Sequence, residues 1–317
     1  MKPILVVGSI AFDSVETPFG KVEKALGGSA TYFSIAATFF SEVRMVAVVG
    51  EDFPSVTLDL LRGRGADVAG IQQSSGKTFF WQGKYGYDLN AAETLETQLN
   101  VFQDFKPVIP ESYRSTPHVF LANIDPELQI EVLEQIRDPQ LVACDTMNFW
   151  IQRKPSVLTD LFRRVDIVFM NEGEARQYAQ EANLVRAARK ILALGPDYVV
   201  IKQGEYGSFL FSREEAFSAP AYPLEQVFDP TGAGDTFAGG FMGYLNSVPA
   251  VTPTHLRKAI VYGSVLASFN VEDFSFNRML SLGADRILER YREFERLTHF
   301  HDDTDIPAIR SLKEASA

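Results

Sequence analysis

The chain is predicted to fold as an α/β protein whose mostly parallel sheet is covered by helices on both faces. Short apolar runs ending at Gly, Asp or Asn recur along the sequence, and several alternate with stretches of helical periodicity. The composition, 46% hydrophobic and 22% charged over 317 residues, is that of an ordinary globular chain with one large or two smaller domains. In order, the strands expected are Ile4 to Val7, Val46 to Val49, Val119 to Leu121, Leu141 to Ala143, Val168 to Met170 and Tyr198 to Ile201. The helices expected between and after them are Ala30 to Phe40, Pro126 to Ile136, Glu172 to Ala182, Leu184 to Ala193, Thr236 to Leu245, Thr254 to Asn270 and Ala284 to Phe294. Two stretches break the alternation. Phe12 to Lys24 carries Pro18 and Gly20 between short extended segments and reads as a hairpin, and the aromatic run Thr78 to Tyr87 again turns at glycine. Together they predict a small separate sheet.

Charge and cysteine content exclude several functions. With 30 basic and 41 acidic side chains the net charge is −11, and no cluster of Lys or Arg offers a polynucleotide the basic surface it requires. The single cysteine, Cys144, allows neither an intrachain disulfide nor a Cys-rich metal site, which points to a reducing compartment. The first apolar run meets Gly8 too soon for a secretory signal, and no segment reaches the roughly 18 apolar residues of a membrane span. A cytoplasmic protein with no membrane or nucleic-acid partner is expected. His118, His255, His299 and His301 show no metal-ligand spacing.

Gly76-Lys77-Thr78 imitates a phosphate loop but fails it. The preceding glycine, Gly70, stands five residues away rather than four, and strand-like aromatic sequence follows where a helix is needed. The dinucleotide fingerprint fails too, because Gly8-Ser9-Ile10-Ala11-Phe12-Asp13 lacks its second and third glycines. The informative segment is Phe228-Asp229-Pro230-Thr231-Gly232-Ala233-Gly234-Asp235-Thr236-Phe237-Ala238-Gly239-Gly240-Phe241. Successive small residues let backbone N–H groups converge on an anion at a helix start, beside the carboxylate of Asp235. On the helix, Thr236, Gly239, Gly240 and Gly243 share one face, bare enough for close approach of a ligand or of neighbouring backbone. Glycine costs a helix about 1 kcal/mol relative to alanine, so three on one face need more explanation than a glycine-rich turn with Asp as N-cap.

This segment closely resembles the C-terminal signature of the ribokinase-like (PfkB-type) sugar and nucleoside kinases. Other pieces fall in the family's order: Gly8 to Asp13, Leu26-Gly27-Gly28-Ser29-Ala30, Val49-Gly50-Glu51-Asp52, Asn171-Glu172-Gly173-Glu174 and Lys202-Gln203-Gly204-Glu205-Tyr206-Gly207. The resemblance covers about residues 1 to 295. It implies a three-layer α/β/α domain over residues 1–300, with lid segments at about 12–24 and 77–103 forming a small β-sheet, and leaves 301–317 as a polar tail. The activity implied is transfer of the γ-phosphate of ATP, with Mg²⁺, to a hydroxymethyl group of a small sugar. A nucleoside acceptor is the alternative, and a catalytically silent ligand sensor on the same fold ranks lower.

By this resemblance Asp235 is the general base and the amides of Gly232, Ala233 and Gly234 stabilise the transferring phosphoryl group. Asp13, Gly27, Gly28 and Asn123 are implied to meet the acceptor; for Asp13 a turn-forming role is the other reading. Asn123 and Asp125 read equally well as a loop start and a helix N-cap before Pro126. After Gly28 the chain departs from many sugar kinases, which continue with a small residue and Asn where this one reads Ser29-Ala30-Thr31-Tyr32. Asn171, Lys202 and Gly204 are implied to line the nucleotide pocket, with Glu174 near Mg²⁺ directly or through water. Asn-x-x-Glu at a strand-to-helix junction is also a capping box. Cys144-Asp145-Thr146-Met147-Asn148 replaces the family's commoner Asp-Pro-Asn pattern. Asp229 and Thr231 resemble the K⁺-binding loop of some relatives. The lid aromatics Phe79, Phe80, Trp81, Tyr85 and Tyr87 suit stacking on a base or sugar, or a homodimer interface through the lid.

Overall fold

Alternation along a fully buried strand divides its side chains between two cores, and in this chain it builds three layers. The computed structural model describes residues 2–299; the tail expected at 301–317 lies outside them. The chain opens with β1 (Ile4–Val7), β2 (Ala11–Thr17), β3 (Gly20–Gly27), α1 (Ser29–Ala37), β4 (Val43–Val49), α2 (Ser55–Gly63) and β5 (Ala66–Gln73). It continues through β6 (Phe79–Tyr85), β7 (Ala92–Gln98), β8 (His118–Leu121), α3 (Pro126–Gln135), β9 (Leu141–Asp145), α4 (Asn148–Arg153) and α5 (Pro155–Phe162). There follow β10 (Ile167–Asn171), α6 (Glu172–Ala179), α7 (Leu184–Leu192), β11 (Tyr198–Lys202), β12 (Ser208–Phe211) and β13 (Ala216–Ala219). Four helices close the fold: α8 (Ala233–Ser247), α9 (Pro253–Asn270), α10 (Asn277–Leu280) and α11 (Ala284–Thr298).

Nine strands form the main sheet in the order β13-β12-β11-β10-β9-β8-β1-β4-β5, parallel from β11 to β5, with β12 and β13 antiparallel at one edge. Ile4 and Val6 of β1 face one core with residues of α1, α8 and α9, whereas Leu5 and Val7 face the other with residues of α3, α5 and α7. All the strands read from the sequence are present. Among the missed elements, α2 buries only Leu61 and every residue of β7 is exposed, whereas α5 does carry an apolar face, burying Leu158, Leu161 and Phe162.

The second sheet has the order β3-β2-β6-β7. The false phosphate loop is its hinge. Thr78 donates both its N–H and its hydroxyl to Asp52 Oδ1 at 2.7 Å, and accepts from the Gly50 amide at 3.0 Å. The residues that imitate Gly-Lys-Thr therefore fasten the start of β6 to the end of β4 rather than cradle a phosphate.

The bare face of α8 receives neighbouring helices. A Cβ on Gly239 would strike the backbone of Phe33 in α1, one on Gly243 would lie 3.1 Å from Cα of Ala37, and one on Gly240 would lie 3.0 Å from the Tyr262 carbonyl in α9. Of the two readings, close approach of neighbouring backbone is the one realised.

Candidate active site

The helix α8 begins three residues earlier than its apolar periodicity indicates. Its N-cap is Gly232, held at φ 72° where only glycine is comfortable, and no side chain caps it. The plainer reading of Asp235 as an N-cap therefore does not hold: Asp235 is the third helical residue, and while the Ala233 amide donates to the Pro230 carbonyl at 3.2 Å, the amides of Gly232 and Gly234 on either side of it are left open. A helix start of this kind attracts negative charge. The cradle is fixed from below by Tyr32, whose ring lies where a Cβ on Gly232 would go. Asn270, fully buried at the end of α9, fixes it from the side, donating to the Thr231 carbonyl at 3.0 Å and accepting from the Thr236 hydroxyl at 3.2 Å.

Strand ends of the main sheet bring three charged groups, Lys202, Asp145 and Glu174, to this helix start. Lys202, at the end of β11, donates from Nζ to Asp145 Oδ2 at 2.5 Å, and a Cβ on Gly234 would lie 3.0 Å from the same ammonium. Glu174 stands at the start of α6 in a complete capping box: its amide donates to Asn171 Oδ1 at 2.8 Å and its Oε2 accepts from the Asn171 amide at 2.7 Å. Capping and a second task are compatible, because Glu174 also feels Asp145, Lys202 and Asp235.

Three carboxyls in this cleft are reluctant to ionise. Asp235 is pushed up to about 7, chiefly by loss of water at the cleft floor and then by Asp145, with Lys202 opposing. Glu174 is raised to about 7 by burial first, then by Asp145. Asp13 is raised to about 7 by burial, with Asp229 and Asp235 adding to it and the Gly28 amide pulling against it. Burial works against the Lys202 ammonium, but Asp145, Glu174 and Asp235 outweigh it and hold its pKa above the ordinary value. If Asp235 is the general base that the resemblance implies, it must be ionised to act, and kcat/KM reports the ionisation of the free enzyme. We therefore predict that kcat/KM rises with pH through about 7 and levels off above it, more steeply than one proton requires, since Asp13 and Asp235 share that range. A profile flat from pH 5.5 to 8.5 would contradict this assignment.

The residues expected on the acceptor side lie along the junction of the two sheets. Asp13, 6% exposed on β2, sits against Gly27, where any side chain would displace its carboxylate. Gly28 is the N-cap of α1 at φ 94°, with Ser9 and Ile10 packed where its Cβ would stand. Asn123 follows β8, and its Oδ1 is buried without a hydrogen-bond partner. Asp125 is committed elsewhere: it caps α3 through the Glu127 amide at 3.0 Å and pairs with Lys154 at 2.7 Å. Asp229 accepts the Thr231 amide at 2.9 Å and the Ser275 amide at 3.0 Å, so its buried carboxylate also shapes the loop.

The lid reaches both ends of the cleft. Thr231 donates to the Tyr85 hydroxyl at 3.2 Å, and Asn90, in the turn after β6, occupies the space beside Gly204, which has φ 56°. Sequence reading missed Asp145 as a member of the charged cluster, Tyr32 and Asn270 as its supports, and Asn90 beside Gly204. Asp145 had a signal, an acidic residue at a strand end where the family places one; Asn270 had none.

Residues 1–281 match the family described as pfkB family carbohydrate kinase. The chain belongs to the PfkB family. Among curated proteins this PfkB-family kinase is 31% identical over 258 residues to the cytidine kinase of Thermococcus kodakarensis, covering 78% of this chain and 91% of that one. Its fold is shared with the nucleoside kinase of Methanocaldococcus jannaschii, an archaeal member of the ribokinase family, at TM-score 0.75 and 20% identity over 92% of this chain and 99% of that one. It is also shared with a putative ribokinase II of E. coli in complex with ATP and Mg²⁺, at TM-score 0.76 and 17% identity over 94% of this chain and 100% of that one. The expected fold class, a mostly parallel α/β sheet with a smaller sheet beside it, is the one found. No helix among the described residues is long and apolar enough to cross a membrane.

Proposed function

We propose that the chain is a nucleoside kinase that moves the γ-phosphate of ATP to the hydroxymethyl group of a nucleoside, with Asp235 as general base. The observation that carries the transfer is the placing of Asp235 on the first turn of α8, beside the open amides of Gly232 and Gly234 and the Lys202 ammonium. Phosphoryl transfer needs an oriented nucleophile and fixed positive charge more than covalent chemistry from the protein. Asp235 takes the proton from the acceptor hydroxyl. The amides of Gly232, Ala233 and Gly234 and the Lys202 ammonium face the charge that grows on the transferring oxygens, without having to reorganise. Asn171 and Gly204 border the nucleotide on the Lys202 side. Asp13, in the space that Gly27 leaves and held by the Gly28 amide, accepts from acceptor hydroxyls, and Asn123 offers them its unpartnered Oδ1.

The donor set fits Mg²⁺. Asp145 pushes up the carboxyls of Glu174 and Asp235, and Asp235 pushes up that of Glu174, against a single ammonium, which is an excess of negative field that a divalent cation would relieve. Mg²⁺ keeps several waters and takes one or two carboxylates, which suits Glu174 reaching it directly or through water. When bound it neutralises charge on the phosphates. We extend the proposal to K⁺ beside Asp229 and Thr231, where a buried carboxylate has no basic side chain bonded to it.

Residue reading alone ranked a small sugar first. The nucleoside moves ahead because the relative at 31% identity is a cytidine kinase, and the pocket for hydroxyls at Asp13 serves a ribosyl group as well as a free sugar. A coupled ADP-release screen with Mg-ATP across cytidine, uridine, adenosine, inosine, ribose and hexoses tests it: turnover is expected with one or more nucleosides at KM well below that for ribose. Turnover confined to free sugars would overturn the acceptor, and no ADP release with any compound would overturn the kinase reading of the site. Replacing K⁺ by tetramethylammonium in the same assay should lower the rate; an unchanged rate removes K⁺.

A further inference from the structure

The five aromatic side chains of the lid separate once the strands are paired. Tyr87 is 87% exposed in the turn, and Phe79 stacks on Phe102 at 5.2 Å, in the ground below the lid. Trp81 is different. It is the register partner of Asp13 in the parallel β2–β6 pair, so the two side chains leave the sheet on the same face. Tyr85, four residues on, leaves from that face too, and its hydroxyl meets Thr231 on the loop that carries Asp235. The face bearing Trp81 is thus the one turned toward the cleft.

Two further observations fix the indole as a flat surface. Gly83, two residues along the same face, has no side chain, and the six-membered ring of Trp81 occupies the space where its Cβ would be. The indole N–H donates to the Thr94 hydroxyl of β7 at 3.2 Å, which sets the rotation of the ring in its plane. Among the described residues no other ring stacks on Trp81, whereas Phe79 of the same strand is already paired with Phe102. A large, rigid, half-buried ring laid on the sheet beside the carboxylate proposed to take sugar hydroxyls is placed to receive a planar group joined to that sugar.

We propose that Trp81, seated on Gly83 and oriented by Thr94, is the platform on which the acceptor's nucleobase stacks, and so the residue that separates nucleosides from free sugars. The inference rests on the nucleoside reading above and deepens it. Stacking is tolerant of base identity because every base has a π-face, so a preference for nucleosides as a class is expected, with weak discrimination among them.

The test uses three variants of the full chain and one spectroscopic probe. Trp81→Ala should raise the KM for a nucleoside about 10- to 100-fold while leaving kcat and the KM for ATP within a small factor, because stacking binds ground state and transition state alike. Gly83→Val, which keeps the tryptophan but displaces it, should do the same, and Trp81→Phe should recover most of the loss. The chain has 2 tryptophans, so in a Trp150→Phe background Trp81 reports alone: titration with cytidine should quench it saturably, and ribose should not. If nucleosides are phosphorylated but Trp81→Ala and Gly83→Val leave their KM unchanged, the platform is wrong and the nucleoside reading stands. If no nucleoside is phosphorylated by the parent chain, the acceptor reading fails and takes the platform with it.

Discussion

Asp235→Asn is expected to lower kcat by about 10²- to 10⁴-fold, the usual contribution of a positioned general base, while the affinity for Mg-ATP is kept. The amide has the shape of the carboxylate, so the first turn of α8, the αL cap at Gly232 and the Lys202–Asp145 pair remain in place. The same substitution carries a second signature that damage to the fold would not imitate. Burial and Asp145 raise the Asp235 carboxyl from 3.8 to about 7, so between those values the folded chain holds a proton that the unfolded chain has lost. Stability then falls as pH rises through that window, since the unfolded state binds fewer protons there. Asparagine removes this term, so the variant should unfold at a higher temperature than the parent at pH 8 and near the same temperature at pH 4. Activity lost together with stability gained identifies a carboxylate held ionised at a cost for the sake of the chemistry. A variant that keeps most of its kcat, with or without the stability change, would remove Asp235 as the base.

The parts of this site that a reader of the sequence can find are those whose physics is local. Glycine spacing announces the anion cradle, because backbone amides converge only where side chains are absent, and Asn171 and Glu174 announce themselves because a capping box spans three residues. Apolar runs reveal β1, β4, β8, β9, β10 and β11 because these strands are largely buried on both faces, whereas β5 and β13 at the two edges are partly exposed. What escaped depends on residues far apart in sequence. Asp145 meets Lys202 across 57 positions, and Asn270 reaches Thr231 across 39; neither contact leaves a periodicity or a motif. The lid was half visible for a related reason. Its β6 is rich in aromatics, whereas β7, exposed along its whole length, has no alternation to read and is held by pairing with β6. Glycines were legible as a group but not by purpose: Gly232 shapes the cradle, while Gly239, Gly240 and Gly243 admit α1 and α9, and only the packing tells them apart.

Lys202→Met should be the most destabilising change in the cleft that leaves the apolar cores intact. The Lys202 side chain is 16% exposed and that of Asp145 5%, and their contact is 2.5 Å. Methionine fills the volume of the aliphatic stem but leaves Asp145, Glu174 and Asp235 facing one another without a cation. Breaking a buried pair from one side costs about 3–5 kcal/mol, because the remaining charge has neither water nor partner. The loss should be largest near pH 8, where the carboxyls are forced to ionise, and smaller at pH 5, where they take up protons instead. Asp145→Asn in the same chain removes the stranded charge, so the double variant should recover much of the stability in urea unfolding at pH 8. It should not recover turnover, because the ammonium facing the transferring phosphoryl group is still missing; removal of one such donor costs about 10²- to 10³-fold in kcat. Asp145→Asn alone gives the complementary result. Asp145 raises the carboxyls of Asp235 and Glu174, and its loss also frees Lys202 to lower both. The rising limb of kcat/KM should therefore move to lower pH than in the parent chain, where burial and Asp145 push the Asp235 carboxyl up to about 7. A double variant as unstable as Lys202→Met, or a limb that stays where it was in Asp145→Asn, would show that the pair serves packing alone and does not set the charge of the base.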